Sequence, residues 1–253
     1  MNTETKKPRY YVPTSLLSKG STNAKTKKNE LESFILYLAP EKQNSKGVNL
    51  CPKASKGCAA ACLYTAGRGN FDSVKKARIN KADFFIHDKV IFLDKLAKEL
   101  KKIGAKAIKQ SKKIAVRLNG TSDLDFIALL KKYNNLDLLS GSEFENLVFY
   151  DYTAILGKVK KYIGSNYAVT LSRKEDNERD ILTALEMGGN VAAVFSGSLP
   201  KRYKGYEVID GDTSDLVMLE ARNCILGLKA KGKAVKDESG FVIHNINNLT
   251  NLK

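Results

Sequence analysis

The sequence predicts an α/β fold, a parallel sheet whose strands alternate with helices. Short, continuous apolar runs recur along the chain, helical segments separate them, and glycine or asparagine residues mark the turns. Six or seven such strands are visible in 253 residues. An eight-stranded barrel of this kind takes about 250 residues by itself. We therefore expect an incomplete (β/α)6-like barrel, with an open doubly wound sheet as the alternative.

The first part of the chain is irregular before the alternation begins. Residues 1–30 are polar and are interpreted as an N-terminal arm or irregular cap. The apolar run 31–40 is predicted to be a strand that ends at Pro40. A helix is expected from Asp72, with Asp72 or Ser73 as its N-cap. The next helix covers about 88–102, and its inward positions are Leu93, Leu96, Leu100 and Ile103.

Strands and helices then alternate regularly. The predicted strands are 112–120, 146–153, 167–173, 190–197, 206–212 and 224–232. The predicted helices between them are 124–134, 155–164 and 178–189. We therefore expect one α/β domain over residues 31–236, with a cysteine loop at 49–69 and a C-terminal tail at 237–253.

Composition and charge limit the classes of function. The chain carries 43 Lys and Arg against 27 Asp and Glu, a formal charge of +16, and 43% of its residues are hydrophobic. That hydrophobic share excludes an intrinsically disordered chain. No stretch approaches the roughly 20 apolar residues of a membrane span, and residues 1–17 hold no apolar signal core, so a cytoplasmic location is expected. The basic charge is compatible with nucleic acid as a partner, or with a lysine-rich solvated surface.

The cysteine loop is the strongest chemical signal in the sequence. Three of the four cysteines, Cys51, Cys58 and Cys62, lie within twelve residues, with Tyr64 just beyond, whereas Cys224 is interpreted as a buried packing residue. Clustered thiols suit a soft metal, and the small residues between them let backbone amides approach it. An iron–sulfur cluster, a zinc ion completed by His87 or His244, and no metal at all are the alternatives.

Polar residues follow every predicted strand, where a parallel sheet places its active residues. Many of them are expected to be helix caps. Arg117, at the end of an apolar strand, is not explained by capping and is expected to pair with Asp151 or Asp212. A carboxylate group that could bind Mg²⁺ is a candidate second site or an acidic turn, and its members are Asp151, Asp210, Asp212 and Asp215.

The helix after the cysteines is basic. Its residues place positive charges beside the loop, either as a phosphate-binding face for a nucleotide or nucleic acid or as an ordinary solvated surface. The candidates are Arg68, Lys75, Arg78 and Lys81.

The cysteine loop and the parallel α/β pattern together resemble the radical S-adenosylmethionine enzymes. The spacing differs from that family's CxxxCxxC motif, because six and three residues separate the thiols and Tyr64 follows the last one. The run NLCPKASKGCAAACLYTAGRG, with LESFILYLAP before it and VIDGD later, also resembles a bacteriophage protein family with an NLCPxASxGCxxxC motif, over about residues 15–235. This second resemblance implies a phage protein in the bacterial host cytoplasm.

The radical-enzyme resemblance implies a role for several residues. Cys51, Cys58 and Cys62 would ligate a [4Fe–4S] cluster, whose open iron would bind S-adenosylmethionine. The residues implied to contact that cofactor are Asn119, Gly120, Asp123, Ser172 and Arg173. The family's usual Gly-Gly-Glu is absent after the second strand.

Three functions therefore remain open. The first is a radical enzyme that acts on a nucleotide or nucleic acid. The second is a non-catalytic, metal-stabilised protein that binds nucleic acid or a host protein. The third is a divalent-metal nuclease or phosphotransferase that uses the carboxylates around Asp210.

Overall fold

The computed structural model describes residues 10–22, 31–214 and 216–244. Within these residues the sheet has ten strands, which are β1 Leu17–Lys19, β2 Ser33–Leu36, β3 Ile114–Arg117, β4 Leu147–Thr153, β5 Tyr167–Ser172, β6 Asn190–Phe195, β7 Arg202–Tyr203, β8 Tyr206–Asp210, β9 Ile225–Lys229 and β10 Val242–Ile243. The α-helices are α1 Lys56–Ala60, α2 Asp72–His87, α3 Lys89–Lys109, α4 Phe126–Asn134, α5 Leu156–Tyr162, α6 Glu178–Glu186 and α7 Val217–Glu220.

The sheet is mostly parallel and is not closed into a barrel. Its strand order is β1-β2-β3-β4-β5-β6-β9-β8-β7, and β10 pairs with β6 off this path. Only the β1–β2 and β7–β8 pairs are antiparallel. The prediction of a parallel α/β sheet is confirmed. From β2 to β6 the strand order follows the chain order without a reversal, so the carboxyl ends of these strands form one continuous edge.

The two faces of the sheet are covered differently. One face packs against helices α2 to α6 in two apolar clusters, to which β3 contributes Ile114 and Val116 and β6 contributes Val191 and Ala193. The other face carries alternate residues of the same strands, such as Ala115 and Ala192, and the segment around α7 packs there. Successive side chains of a strand point to opposite faces of the sheet, and here both faces are buried. These strands therefore appear as continuous apolar runs in the sequence.

Helices α2 to α6 agree with their predicted positions, apart from one cap, whereas the short helices α1 and α7 were not predicted. The inward stripe of α3 is confirmed, since Leu93, Leu96 and Leu100 are fully buried. The N-cap prediction for α2 was wrong. The cap is Phe71, which makes no side-chain cap hydrogen bond, and Asp72 is already inside the helix. An acidic residue in the first turn is favourable for the helix dipole as well as for capping, so the sequence signal was ambiguous.

Both chain ends contribute short strands to the sheet. β1 lies in the segment interpreted as an arm and pairs with β2. β10 lies in the segment interpreted as a tail and pairs with β6 through Val242 and Ile243. No helix in the described ranges has the length and apolar character needed to cross a membrane.

Candidate metal centre

The cysteine loop runs across the carboxyl edge of the parallel strands. At its start, the Sγ atom of Cys51 lies 3.7 Å from the carbonyl oxygen of Thr121, in the loop after β3. The backbone of Asp123 donates to the carbonyl of Leu50 at 2.9 Å. The loop therefore lies where the sequence placed it, at the edge at which parallel sheets hold their active residues.

Glu175, in the loop after β5, anchors the middle of the cysteine loop. Its carboxylate accepts hydrogen bonds from the Ser55 hydroxyl at 2.7 Å and the Gly57 backbone at 2.8 Å. Ser55 is also the N-cap of α1, and its hydroxyl accepts from the Cys58 backbone at 3.1 Å. A carboxylate two strands away from β3 thus fixes the backbone that carries Cys58.

The three thiols of the loop are half-buried and influence one another. Burial raises the pKa of Cys51 and of Cys58 to about 12, and it raises the pKa of Cys62 as well. Mutual repulsion between the thiolates adds to the rise at Cys51 and Cys58, so the three groups lie within electrostatic range. In the described ranges, however, no group of three or more His, Cys, Asp or Glu side chains is arranged to hold a metal ion.

The two histidines and the fourth cysteine make contacts elsewhere. The ring of His87 contacts the Ser45 hydroxyl at 2.9 Å, and the ring of His244 contacts the backbone oxygen of Asp237 at 2.8 Å. Cys224 is 2% exposed, and its Sγ lies 3.6 Å from the side-chain oxygen of Asn190. The prediction that Cys224 is a packing residue is confirmed.

Asn119 and Asp123 lie beside the loop but face inward. The amide oxygen of Asn119 accepts from Ser122 and Leu124, and its amide nitrogen donates to Asp151 at 3.0 Å. The Asp123 carboxylate accepts from Thr153, Ala154 and the buried ammonium of Lys158, the last at 3.2 Å. These two side chains stabilise the edge of the sheet, and the contact with a cofactor implied for them stays a prediction.

Gly120 lies in the same loop, and its missing side chain is required by Tyr37. A Cβ atom at this position would lie 2.4 Å from the Tyr37 ring. The close approach holds the loop after β3 against the aromatic residue that follows β2. The backbone of Gly120 therefore remains a candidate contact for a small cofactor.

Arg173 does not face an open site. Its Nη1 donates to the backbone oxygens of Gly240 and Phe241, the latter at 2.8 Å. Ser172 ends β5, and its carbonyl accepts from the Asn177 side chain at 2.9 Å. Arg173 thus holds the segment before β10 against the cysteine loop, and its implied role toward a cofactor carboxylate stays a prediction.

The carboxylates proposed as a second site are not all brought together. Asp151 is fully buried on β4, whereas Asp210 ends β8, and β5, β6 and β9 lie between them. Asp212 accepts from the Lys229 backbone at 2.8 Å and from Lys231 at 2.6 Å. Asp215 lies outside the described residues. The prediction was wrong in joining Asp151 to this group. Asp210 and Asp212 are neighbours, since the Asp212 backbone donates to the Asp210 carboxylate at 2.8 Å, and a metal site at this turn stays a prediction.

Arg117 has one of its two predicted partners. Its Nε lies 3.8 Å from the carboxylate of Asp151, and its guanidinium stacks 5.0 Å from the centre of the Tyr152 ring. The expected pairing with Asp151 is confirmed.

The basic residues around α2 do not form one exposed face. Arg68 is exposed and Lys75 is half-exposed. Arg78 is directed toward the cysteine loop, and the ammonium of Lys81 donates to the carbonyl of Leu16 at 2.6 Å. The predicted phosphate-binding face was wrong for Arg78 and Lys81, because these two side chains serve the interior of the fold.

Lys81 should make stability depend on pH. Burial lowers the pKa of its ammonium from 10.5 to about 8. The unfolded chain therefore binds this proton more tightly, and wild-type protein should gain stability as pH rises from about 8 to about 10.5. The gain is at most about 3 kcal/mol. Urea unfolding across this range should show the gain reduced in Lys81→Met and retained in the exposed control Lys76→Met. Equal slopes in all three proteins would contradict it.

A polar groove that was not predicted from the sequence lies beside the cysteine loop. Its volume is about 460 Å³, and its walls are residues 52–54 of the cysteine loop, residues 154–157 between β4 and α5, and the segment around Lys174 and Asp180. Lys174 is 8% exposed and pairs with Asp176 at 3.0 Å. Three loops far apart in sequence form the groove, so no local pattern could have shown it.

Comparison with known proteins places the chain in a family. The model of a phage-type protein family, described as gene product 88, matches residues 15–245. No curated protein and no solved structure matches the chain. The resemblance to a bacteriophage protein family is thereby confirmed, and the resemblance to radical S-adenosylmethionine enzymes stays a prediction.

Proposed function

The chain belongs to the gene product 88 family, and we propose that it is an iron–sulfur enzyme of the radical S-adenosylmethionine type. Cys51, Cys58 and Cys62 would hold a [4Fe–4S] cluster at the carboxyl edge of the sheet. The supporting observation is a set of three electrostatically coupled thiols in the cysteine loop, one of which, Cys62, also lies within electrostatic range of Arg78. When bound, the cluster supplies one electron to cleave the sulfonium of S-adenosylmethionine.

The set of donor residues favours a cluster over a single zinc ion. Zinc binds cysteine sulfurs at about 2.3 Å, so its ligands must crowd around one point. The cysteine loop supplies three thiols, whereas a zinc site usually has four protein ligands, and His87 and His244 make contacts elsewhere. A cluster binds each sulfur through a different iron and so tolerates wider separation. With three cysteines as its protein ligands, one iron would stay open for the cofactor.

The surrounding chain would position the cofactor and exclude water. Thr121 holds the start of the cysteine loop and Glu175 holds its middle against the sheet edge. β10 covers the loop, since its residue Val242 packs with Ala61 in a small apolar cluster. Such exclusion matters because a radical enzyme must keep solvent from its reactive species.

The groove beside the loop is the proposed entrance for the substrate. Its charged lining residues are Lys53, Lys174, Asp176 and Asp180, which suit a polar molecule better than an apolar one. Lys174 also acts electrostatically on Cys58, so the groove and the cysteine site are neighbours. Because the protein carries a net charge of +16, we propose a nucleotide or nucleic acid as the substrate class.

The test is anaerobic purification followed by reconstitution with iron and sulfide. We expect a brown protein with about four irons per chain, bleached by dithionite, as a [4Fe–4S] cluster requires. Addition of S-adenosylmethionine should change the electron paramagnetic resonance spectrum of the reduced cluster, because the cofactor would bind the open iron. Stoichiometric zinc in a colourless protein, or no metal after reconstitution, would refute the proposal.

A further inference from the structure

Arg78 occupies an unusual environment next to the cysteine loop. The centre of its guanidinium lies 4.7 Å from the Tyr37 ring centre and 5.5 Å from the Tyr64 ring centre. Its Nε and Nη1 atoms are sealed from solvent and have no hydrogen-bond partner. Buried N–H groups without an acceptor are strongly unfavourable, particularly on a charged group. The position therefore requires an acceptor that the described chain does not supply.

The groups around Arg78 indicate what that acceptor is. Burial lowers the pKa of the guanidinium, and Tyr37, Tyr64 and Cys62 oppose this shift. None of these three is a carboxylate, and a second cation, Lys81, lies within electrostatic range. Cys62 Sγ accepts only a long bond of 3.5 Å, from the Tyr64 backbone. Arg78 thus places a buried positive charge beside Cys62, whereas Glu41, Asp123 and Glu175 act on the three thiols with negative charge.

Resting on the proposed cluster, we propose that Arg78 is the counter-charge of an anionic iron–sulfur group and donates its free N–H groups to that group's sulfur atoms. Three thiolates on a [4Fe–4S]²⁺ core carry a net charge of −1, and one-electron reduction makes it −2. A fixed cation stabilises the more negative state more strongly. Arg78 therefore raises the reduction potential of the cluster and makes its reduction easier.

The direct test is a redox titration of reconstituted full-length protein, followed by electron paramagnetic resonance. Arg78→Met removes the charge and keeps the side chain long and flexible. At the wild-type midpoint potential, we expect the variant's ratio of reduced to oxidised cluster to fall roughly tenfold, with iron content unchanged. Arg78→Lys, which keeps the charge but loses the planar donor set, should fall between the two.

Arg68→Met is the matched control for the loss of one positive charge. Arg68 is exposed and lies in the same segment, so solvent screens its charge and its variant should keep the wild-type midpoint. A shift of equal size in Arg68→Met would show that only net charge matters and would overturn the specific role of Arg78.

Iron-free protein provides a second readout, independent of the cluster. If the role of Arg78 is to pair with an anion, its buried guanidinium destabilises the folded protein when no anion is bound. Iron-free Arg78→Met should then be at least as stable as iron-free wild type in urea. If Arg78 only packs between two tyrosines, Arg78→Met should be less stable and should leave the midpoint unchanged, which overturns the inference. If wild type and Arg78→Met both bind iron and have equal midpoint potentials, the inference is overturned but the proposed function is not. Wild-type protein that binds no iron refutes the proposed function, and the inference falls with it.

Discussion

Replacing Cys51, Cys58 or Cys62 with serine is expected to abolish stable iron binding and, with it, cleavage of S-adenosylmethionine. Each thiolate binds a different iron, and a hydroxyl is a poor ligand for this soft site. We expect the iron content of each anaerobically reconstituted variant to fall at least about tenfold, because losing one of three anchors leaves two open irons. Iron analysis and the absorption spectrum measure this directly.

Cys224→Ser is the matched control for these three variants. Cys224 is buried on the face of the sheet near α7, and it is not part of the cysteine loop. The Cys224→Ser variant should therefore keep the wild-type iron content. If Cys224→Ser lost iron as fully as Cys58→Ser, the losses would reflect general unfolding. If the loop variants kept iron, the assigned ligands would be wrong.

Replacing Asp151 with alanine is expected to have the largest effect on stability. Its fully buried carboxylate accepts from the Asn119 backbone at 2.8 Å, from the Tyr167 hydroxyl at 2.6 Å, and faces Arg117. Removal leaves a cation and several donors buried without an acceptor. Breaking a buried pair in this way costs about 3–5 kcal/mol, and urea unfolding measures it.

Glu143→Ala provides the control for this prediction. Glu143 pairs with Lys101 at 3.6 Å, and about half of each side chain is exposed. Removing an exposed pair should change the free energy of unfolding by about 1 kcal/mol or less. Similar losses in Asp151→Ala and Glu143→Ala would contradict the structural role assigned to the buried network.

Much of the fold could be predicted from the sequence, because its strands are buried on both faces. Residues 190–195, for example, read as one apolar run, and a double glycine precedes them as a clear helix stop. The short strands at residues 17–19, 202–203 and 242–243 were missed. Segments of two or three residues carry no periodicity, and tertiary contacts alone make them extended.

The candidate site was predictable only where its residues are local in sequence. The three cysteines are close neighbours along the chain, so their spacing revealed the loop. Arg78 was assigned to an exposed basic face, either phosphate-binding or solvated, because helical periodicity does not show which side of α2 the cysteine loop covers. Asp151 was wrongly grouped with Asp210 for a related reason. Strand ends were identified correctly, but the order of the strands determines which carboxylates meet.

The position of β10 has a consequence for the order in which the site is completed during synthesis. Every element that the segment 237–244 contacts, including the cysteine loop, α1 and β6, precedes it in the chain. A ribosome therefore releases the cysteine loop well before the residues that cover it. Because domains begin to fold while the chain is still emerging, a metal-loading factor would find the thiols uncovered in the nascent protein. Once residues 237–244 have docked, the same factor would first have to displace β10 from the end of β6.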